Sequence, residues 1–198
     1  AGKLAEGAVK LASNENPLGP SPKALQKISE YLPQISLYPD SNCQALRKKL
    51  ANKHGISQEM LIIGNGSDEI LLFIAGAYME SGLNAVTSEA TFSEYTFAVT
   101  LFGGEMKYAP MQEARFDLDA MKHLIDGNTR LVFIANPNNP TGTYIRSEEF
   151  SSFIMDVPKD VLVVMDEAYY EYVTQKDFPQ TLPLLDKYPN ILVMRTFS

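Results

Sequence analysis

The residue best placed to do chemistry follows a buried strand. Residues 161–165 (VLVVM) form a β-branched apolar run, which is typical of a strand covered on both faces. The run ends abruptly at Asp166. In an α/β protein, a carboxylate at the carboxyl end of such a strand lies where these folds bind their ligands. Taken alone, Asp166 is better explained as a cap on the segment that follows, so the functional interpretation depends on the neighbouring motifs.

Two further motifs follow other expected strands. In residues 136–142 (NPNNPTG), two Asn-Pro steps restrict the backbone, and such a rigid turn favours a functional role over a purely structural one. In residues 64–69 (GNGSDE), two glycines lead straight into a helix, whose first backbone N–H groups suit a phosphate. Residue Glu69 excludes a dinucleotide fingerprint, and the absence of Gly-Lys-Ser/Thr excludes a P-loop. A tight turn capped by Ser67 is an equal alternative for this segment.

Helices and strands that could position these motifs alternate along the chain. Residues 1–60 contain an extended arm with turns (residues 14–20) and two helices, one starting at Ser21-Pro22 and one behind a capping box at residues 41–44. Beyond them, strands are expected at 61–63, 84–87, 105–108, 130–135, 161–165 and 191–194, and helices at 67–79, 94–102, 118–125 and 148–155. This order predicts an α/β fold with a mainly parallel sheet sandwiched by helices, in a domain spanning residues 61–198.

Composition and net charge limit the partners and the cellular location that we expect for this protein. The 198 residues carry a net charge of −7 and no basic cluster, which argues against nucleic acid or an anionic membrane as a partner. A single cysteine, Cys43, excludes a disulfide within this sequence and fits a reducing compartment. No signal pattern and no apolar run of membrane-spanning length are present, so we expect a cytoplasmic protein. His54 and His123 have no partners at ligand spacing, so no metal site is expected.

Several motifs together resemble a known enzyme family. NPNNPTG, DEAY (residues 166–169) and RTFS (residues 195–198), spaced as in a strand–helix–strand unit, are similar to the fold-type I pyridoxal-phosphate aminotransferases. ASNENPLGPSP, Tyr38-Pro39 and GNGSDE are similar to the histidinol-phosphate aminotransferase branch. The resemblance covers nearly the whole chain from Leu11. It implies the large domain of a fold-type I enzyme that transfers an amino group between histidinol phosphate and 2-oxoglutarate. An aromatic aminotransferase or a phosphothreonine decarboxylase on the same scaffold is the alternative, because these enzymes share the cofactor residues.

The resemblance also implies a role for each motif residue. Asp166 and Tyr169 would be catalytic: Asp166 would keep the pyridine nitrogen of the cofactor protonated. Tyr169 and Asn139, the latter before a cis bond to Pro140, would bind the 3-oxygen of the ring, and Phe92 would stack on it. The phosphate would be bound by the backbone of Gly66, Ser67 and Asp68, by the hydroxyls of Thr196 and Ser198, and by Tyr38 from the partner subunit of a homodimer. Asn16 of the arm would line the substrate entrance.

Two features depart from the family pattern. The family has proline where this chain has Ala90, so we expect a looser turn before Phe92. The family's Schiff-base lysine would come directly after Ser198, where this sequence stops. A break at a modified lysine or a partial chain is expected here rather than a natural terminus. A polypeptide that truly ended at Ser198 would be an inactive fragment or a dimerisation module.

Overall fold

The computed structural model describes residues 8–10 and 13–198. Leu11 and Ala12, where the family resemblance begins, lie outside the described residues. The chain forms two compact units that divide between Gln44 and Ala45. The boundary predicted from sequence lies between residues 60 and 61, where the two N-terminal helices give way to the alternating pattern, and it stays a prediction.

The first unit contains helix α1 (Pro22–Tyr31), which begins at the proline that the sequence indicates. Helix α2 (Gln44–His54) begins at the last residue of this unit. The capping box predicted for residues 41–44 is wrong. Instead, the carboxylate of Asp40 accepts the backbone N–H groups of Asn42 and Gln44, at 3.0 and 2.8 Å. A carboxylate two residues before Asn42 reaches both donors, so Ser41 is not needed as the cap.

The second unit is an α/β structure, and it includes all of α2 except Gln44. Its further α-helices are α3 (Gly66–Tyr78), α4 (Glu94–Leu101), α5 (Leu118–Leu124) and α6 (Ser147–Asp156), and its strands are β1 (Asn84–Ser88), β2 (Glu105–Ala109), β3 (Met111–Gln112), β4 (Arg115–Phe116), β5 (Thr129–Ala135), β6 (Leu162–Asp166) and β7 (Ile191–Met194). Five of these strands form a sheet in the order β2-β1-β5-β6-β7, in which every pairing is parallel. Helix α3 packs against α4, and α5 packs against α6. The predicted fold class is confirmed.

The two central strands form the middle of the hydrophobic core. All five residues of β6 and six of the seven residues of β5 are buried. Their mostly apolar side chains explain this, because a parallel strand covered by helices on both faces must be apolar on both faces. Strand β6 therefore holds its last residue, Asp166, at the end of a fully buried strand.

Two local features differ from the sequence-based expectation. Leu61 has an extended backbone (φ −109°, ψ 130°), but residues 61–63 belong to no strand among the described residues, because so short an apolar run does not specify a pairing partner. The β3–β4 hairpin was not predicted. Its turn places Glu113 and Ala114 at positive φ (50° and 60°), and neither is one of the residues that signal such a turn.

The strand order creates a topological switch point. From β1 the chain moves to β2 on one side of the sheet, whereas from β5 it moves to β6 and β7 on the other side. The connections therefore diverge at the carboxyl ends of β1 and β5 and leave a crevice between them, which is where open α/β sheets bind ligands. The NPNNPTG turn follows β5, and Asp166 ends the adjacent strand.

The longest helix of the described chain, α3, has 13 residues. Over residues 8–10 and 13–198, no helix combines the length and the apolar character that a membrane crossing requires. The same residues contain no group of three His, Cys, Asp or Glu side chains that could hold a metal ion.

Helix α5 provides a test of how capping stabilises the second unit. The carboxylate of Asp117 accepts the N–H of Ala120 at 2.9 Å, whereas Ser93, in the same position before α4, makes no side-chain capping bond. We therefore expect Asp117→Ala to lower the free energy of unfolding by about 1 kcal/mol, and Ser93→Ala to change it by less than about 0.5 kcal/mol. Urea denaturation followed by circular dichroism measures both. Equal losses in the two variants would contradict the capping explanation.

Candidate functional site

The candidate site is centred on Asp166, whose residue surface is only 5% exposed. Its Oδ2 accepts the hydroxyl of Tyr95 at 2.7 Å, and its Oδ1 accepts the N–H of Ala168 at 3.1 Å. Burial raises the pKa of Asp166; the two hydrogen bonds oppose that rise, and the negative charge of Asp68 adds to it. No ion pair within the described residues includes Asp166. A buried carboxylate held by neutral donors alone is well suited to bind a cationic or proton-bearing group of a ligand.

Tyr95 is a site residue that the sequence interpretation missed. Its side chain is fully buried, stacks on Phe133 at a centroid distance of 4.9 Å, and meets the ring of Phe92 edge-on at 5.6 Å. Burial, followed by the negative charge of Asp166, raises the pKa of Tyr95 well above its usual value, so its hydroxyl remains a hydrogen-bond donor. One signal could have identified it: a tyrosine on the buried face of α4 needs a partner for its hydroxyl.

Asn138, also missed, joins the two loops beside the switch point. Its Nδ2 donates to the carbonyl of Ala90 at 3.0 Å, and its Oδ1 accepts the hydroxyl of Thr91 at 2.9 Å. Its backbone N–H donates to the carbonyl of Thr143 at 2.8 Å. The turn before Phe92, which we expected to be looser because of Ala90, is therefore held to the NPNNPTG turn by two hydrogen bonds of the Asn138 side chain.

The first asparagine of the NPNNPTG turn is structural. Asn136 is fully buried; its Oδ1 accepts the N–H of Ile145 at 2.8 Å, and its own N–H donates to the carbonyl of Asp166 at 2.8 Å. The peptide bonds Asn136-Pro137 and Asn139-Pro140 are both cis, and the second of them was predicted. Asn139 is half-buried in the turn that this framework holds.

The start of α3 is the candidate anion site. Gly66 has φ +80°, and a Cβ added to it would meet no atom within 4 Å, so the space beside it is open. The carboxylate of Glu69 accepts the N–H of Asn65 at 2.8 Å, so the cap involves Glu69 rather than Ser67. The N–H groups of Ser67 and Asp68, in the first helical turn, have no acceptor within the helix and suit an anion.

Other predicted site residues lie on two nearby segments of the second unit. Tyr169 is half-buried in the loop after β6, with its ring 6.3 Å from that of Tyr172. Thr196 follows β7, whose Met194 pairs with Asp166, and its hydroxyl accepts the N–H of Ser198 at 3.0 Å. The structure therefore places Thr196 and Ser198 beyond the strand end next to Asp166.

Tyr38 and Asn16 belong to the first unit. The side chain of Tyr38 is fully exposed, and the Oδ1 atom of Asn16 accepts the N–H of Leu18 at 3.0 Å. Their roles toward a partner subunit and a substrate stay predictions.

Glu167, the residue after Asp166, lies off the face of Asp166 if the alternation along the strand continues, and this pattern predicts a position facing solvent or an interface. The structure differs: Glu167 is fully buried and pairs with Arg195, with 2.7 Å between a guanidinium nitrogen and Oε2. The alternation ends where β6 ends, so it does not apply to Glu167. Glu171, for which the sequence pattern also predicts solvent or an interface, is exposed.

Comparison with known proteins identifies the family. The family model described as "Aminotransferase class I and II" matches residues 6–198. The chain belongs to this family. One relative, the histidinol-phosphate aminotransferase of Halalkalibacterium halodurans, is 49% identical over 98% of this chain and 52% of its own length. Histidinol-phosphate aminotransferase 2 of Pseudomonas fluorescens is 52% identical over 96% of this chain and 51% of its own length.

Solved structures of class I and II aminotransferases resemble this chain as well. The histidinol-phosphate aminotransferase of Sinorhizobium meliloti in complex with pyridoxal-5'-phosphate superimposes with a TM-score of 0.88 and is 32% identical, covering 94% of this chain and 50% of that one. The chain thus spans about half the length of the curated relatives it matches.

The Tyr95–Asp166 hydrogen bond can be compared with a similar bond at the surface. Tyr144 donates to Asp177 at 2.8 Å in an exposed pair, whereas the Tyr95–Asp166 bond is buried. We expect Tyr95→Phe to lower the free energy of unfolding by about 1.5–3 kcal/mol, because a buried carboxylate loses a donor, and Tyr144→Phe to lower it by less than about 1 kcal/mol. Chemical denaturation of the cofactor-free protein measures both losses. A smaller loss for Tyr95→Phe than for Tyr144→Phe would contradict this assignment.

Proposed function

We propose that this chain forms part of a pyridoxal-phosphate-dependent aminotransferase that transfers an amino group between histidinol phosphate and 2-oxoglutarate, in histidine biosynthesis. The observation that carries the proposal is the buried carboxylate of Asp166, held by Tyr95 and Ala168 at the end of β6 beside the switch point. The identities of 49% and 52% to proteins named histidinol-phosphate aminotransferase support the choice of substrate.

The residues of the site fit this cofactor. When bound, pyridoxal phosphate supplies an electron sink that makes the α-proton of an amino substrate easier to remove. Asp166 would accept a hydrogen bond from the pyridine nitrogen and favour its protonated form, and its own charge would be favoured in return. Tyr95 and the N–H of Ala168 keep the carboxylate in place. Asn139 and Tyr169 would bind the 3-oxygen of the ring.

A second group of residues would bind the rest of the cofactor. Phe92 would pack on the face of the ring, and its position is set by the edge contact with Tyr95. The phosphate would lie at the start of α3, where the open space beside Gly66 admits a bulky anion. Its proposed ligands are the backbone of Gly66, Ser67 and Asp68 and the hydroxyls of Thr196 and Ser198. The N–H groups of Ser67 and Asp68 would donate to it, since the N–H of Gly66 donates to the carbonyl of Gly64 at 3.0 Å.

The proposal extends to assembly and location. We propose a cytoplasmic homodimer in which Tyr38 reaches the cofactor phosphate of the partner subunit and Asn16 lines the substrate entrance. The exposed apolar side chains of the first unit support an interface there; they are Leu25, Ile28, Tyr31, Leu32, Ile35 and Leu37. The proposed partners are small molecules, an amino donor and a 2-oxo acid, and include neither nucleic acid nor membrane.

Replacing Asp166 tests the proposed chemistry in the whole protein. Opposite charges about 4 Å apart at an effective dielectric of about 20 attract by up to about 4 kcal/mol, so we expect Asp166→Ala to lower kcat/KM by up to about 1,000-fold. The assay follows glutamate formed from histidinol phosphate and 2-oxoglutarate, with Asp160→Ala, at an exposed loop position, as the control. Full activity of Asp166→Ala would contradict the proposal. Release of carbon dioxide from phosphothreonine, or a preference for aromatic amino acids, would instead assign a sister activity.

Removing the charge of Asp166 should stabilise the cofactor-free protein, although we expect its removal to lower the activity of the protein with cofactor. Burial raises the folded-state pKa of Asp166, so the charged carboxylate destabilises the fold at a pH above this raised pKa. The penalty decreases as the pH falls from the raised pKa towards the ordinary Asp pKa, and it is absent below the ordinary pKa. We therefore expect Asp166→Asn to raise the free energy of unfolding of the cofactor-free protein at pH 7, and to raise it less at pH 4. Denaturation at both pH values measures the difference. A gain that grew on acidification would contradict the assigned pKa shift.

A further inference from the structure

Glu167 and Arg195, which adjoin Asp166 and Thr196 in sequence, form a largely buried ion pair. The carboxylate of Glu167 is fully buried, and both of its oxygens are occupied. Oε1 accepts the hydroxyl of Thr181, while Oε2 accepts Nε of Arg195 at 2.9 Å and a terminal guanidinium nitrogen of Arg195 at 2.7 Å. The backbone N–H of Glu167 also donates to the carbonyl of Met194 at 2.9 Å. Side chain and backbone together therefore attach the residue after β6 to the end of β7.

Arg195 is held on a second side by an aromatic ring. Its guanidinium carbon lies 3.8 Å from the ring centroid of Tyr170, and the backbone N–H of Tyr170 donates to the carbonyl of Glu167 at 3.0 Å. Only 20% of the Arg195 side chain is exposed. A planar guanidinium that is both stacked and hydrogen-bonded has one well-defined position. The backbone of Arg195 shares that restriction.

The sequence neighbours of this pair are the two ends of the proposed site. Glu167 is adjacent to Asp166, the proposed partner of the pyridine nitrogen, and Arg195 is adjacent to Thr196, a proposed phosphate ligand. The ion pair thus links the strand end that would bind the ring to the segment that would bind the phosphate. Thr196 in turn accepts the N–H of Ser198, which extends the link to the second proposed hydroxyl ligand.

The stability of the fold alone does not explain why a buried ion pair occupies positions 167 and 195. Burial raises the pKa of Glu167, while the hydrogen bonds of Thr181 and Arg195 act against the rise, so burial and pairing have opposite effects on the charged carboxylate. Replacing a buried ion pair with apolar side chains of similar volume is often neutral or stabilising. A specific geometric requirement is therefore the better explanation for charged residues at these two positions.

We propose that the Glu167–Arg195 ion pair is a positioning device that fixes the segment carrying Thr196 and Ser198 relative to Asp166, so that one cofactor can be bound by its ring and by its phosphate at the same time. This inference rests on the proposed function and deepens it. Glu167 and Arg195 act through their neighbours in this proposal; neither is assigned a contact with cofactor or substrate.

Comparing pyridoxal phosphate with pyridoxal, which lacks the phosphate, tests this proposal in the whole protein. We expect Glu167→Gln and Arg195→Lys each to raise the Kd for pyridoxal phosphate by about tenfold and to change the Kd for pyridoxal by less than about twofold. The preference for the phosphate, expressed as the Kd for pyridoxal divided by the Kd for pyridoxal phosphate and measured by fluorescence titration, would thus fall by about fivefold or more. Glu149→Gln is the matched control, because Glu149 pairs with Arg115 at 2.9 Å on the surface, and its ratio should equal that of the unmodified protein.

The double variant Glu167→Met with Arg195→Met separates positioning from stability. We expect it to unfold at a denaturant concentration close to that of the unmodified protein. Its preference for pyridoxal phosphate over pyridoxal should nevertheless be as low as in the two single variants. Recovery of that preference together with stability would overturn the proposal, as would equal weakening of both ligands in the single variants. Failure of the unmodified protein to bind pyridoxal phosphate would instead overturn the proposed function itself, so the two failures can be told apart.

Discussion

Placing a carboxylate at the end of the buried strand β6 is the constraint around which the second unit is arranged. Asp166 lies where burial opposes its charge, and no cation of the described residues pairs with it. Two neutral donors among the described residues support it, the hydroxyl of Tyr95 and the backbone N–H of Ala168. The position of Tyr95 depends on the packing of α4 against the sheet, through its stack on Phe133. In the proposed function, such a carboxylate would lower the stability of the cofactor-free protein and would bind a cationic ligand strongly, which is a common exchange of stability for function.

The polar groups around Asp166 form a framework rather than a set of ligands. Asn136, Asn138 and Glu167 are buried, and each uses its side chain to join segments that are distant in sequence. No buried side-chain nitrogen or oxygen of the described residues lacks a hydrogen-bond partner. Such fully satisfied networks are rigid and permit few alternative arrangements. The loops that follow β1, β5 and β6 are therefore held in place by side chains that need not touch a ligand themselves.

Most of the fold was predictable from sequence because its elements are coded locally. The expected strands 84–87 and 130–135 and the helix at 67–79 agree with β1, β5 and α3 to within one or two residues, since apolar runs and glycine or proline stops mark them. Asp166 was predictable because a buried run ends at it. Tyr95 and Arg195 were not, because their partners are 71 and 28 residues away in sequence, and only the packed structure brings such groups together. The β3–β4 turn was not predictable because Glu113 and Ala114 adopt a backbone that their residue types rarely favour.

The two edge strands of the parallel sheet, β2 and β7, differ in whether they carry charged side chains. Strand β2 carries Glu105 and Lys107, and charged side chains on an edge discourage the addition of another strand. Strand β7, with the sequence ILVM, has no charged residue and, within the described part of the chain, is paired on one side only. Its free row of backbone N–H and C=O groups is a template for a further strand. Any extension of this sheet, whether by a strand of the same protein or by unwanted self-association, should therefore begin at β7.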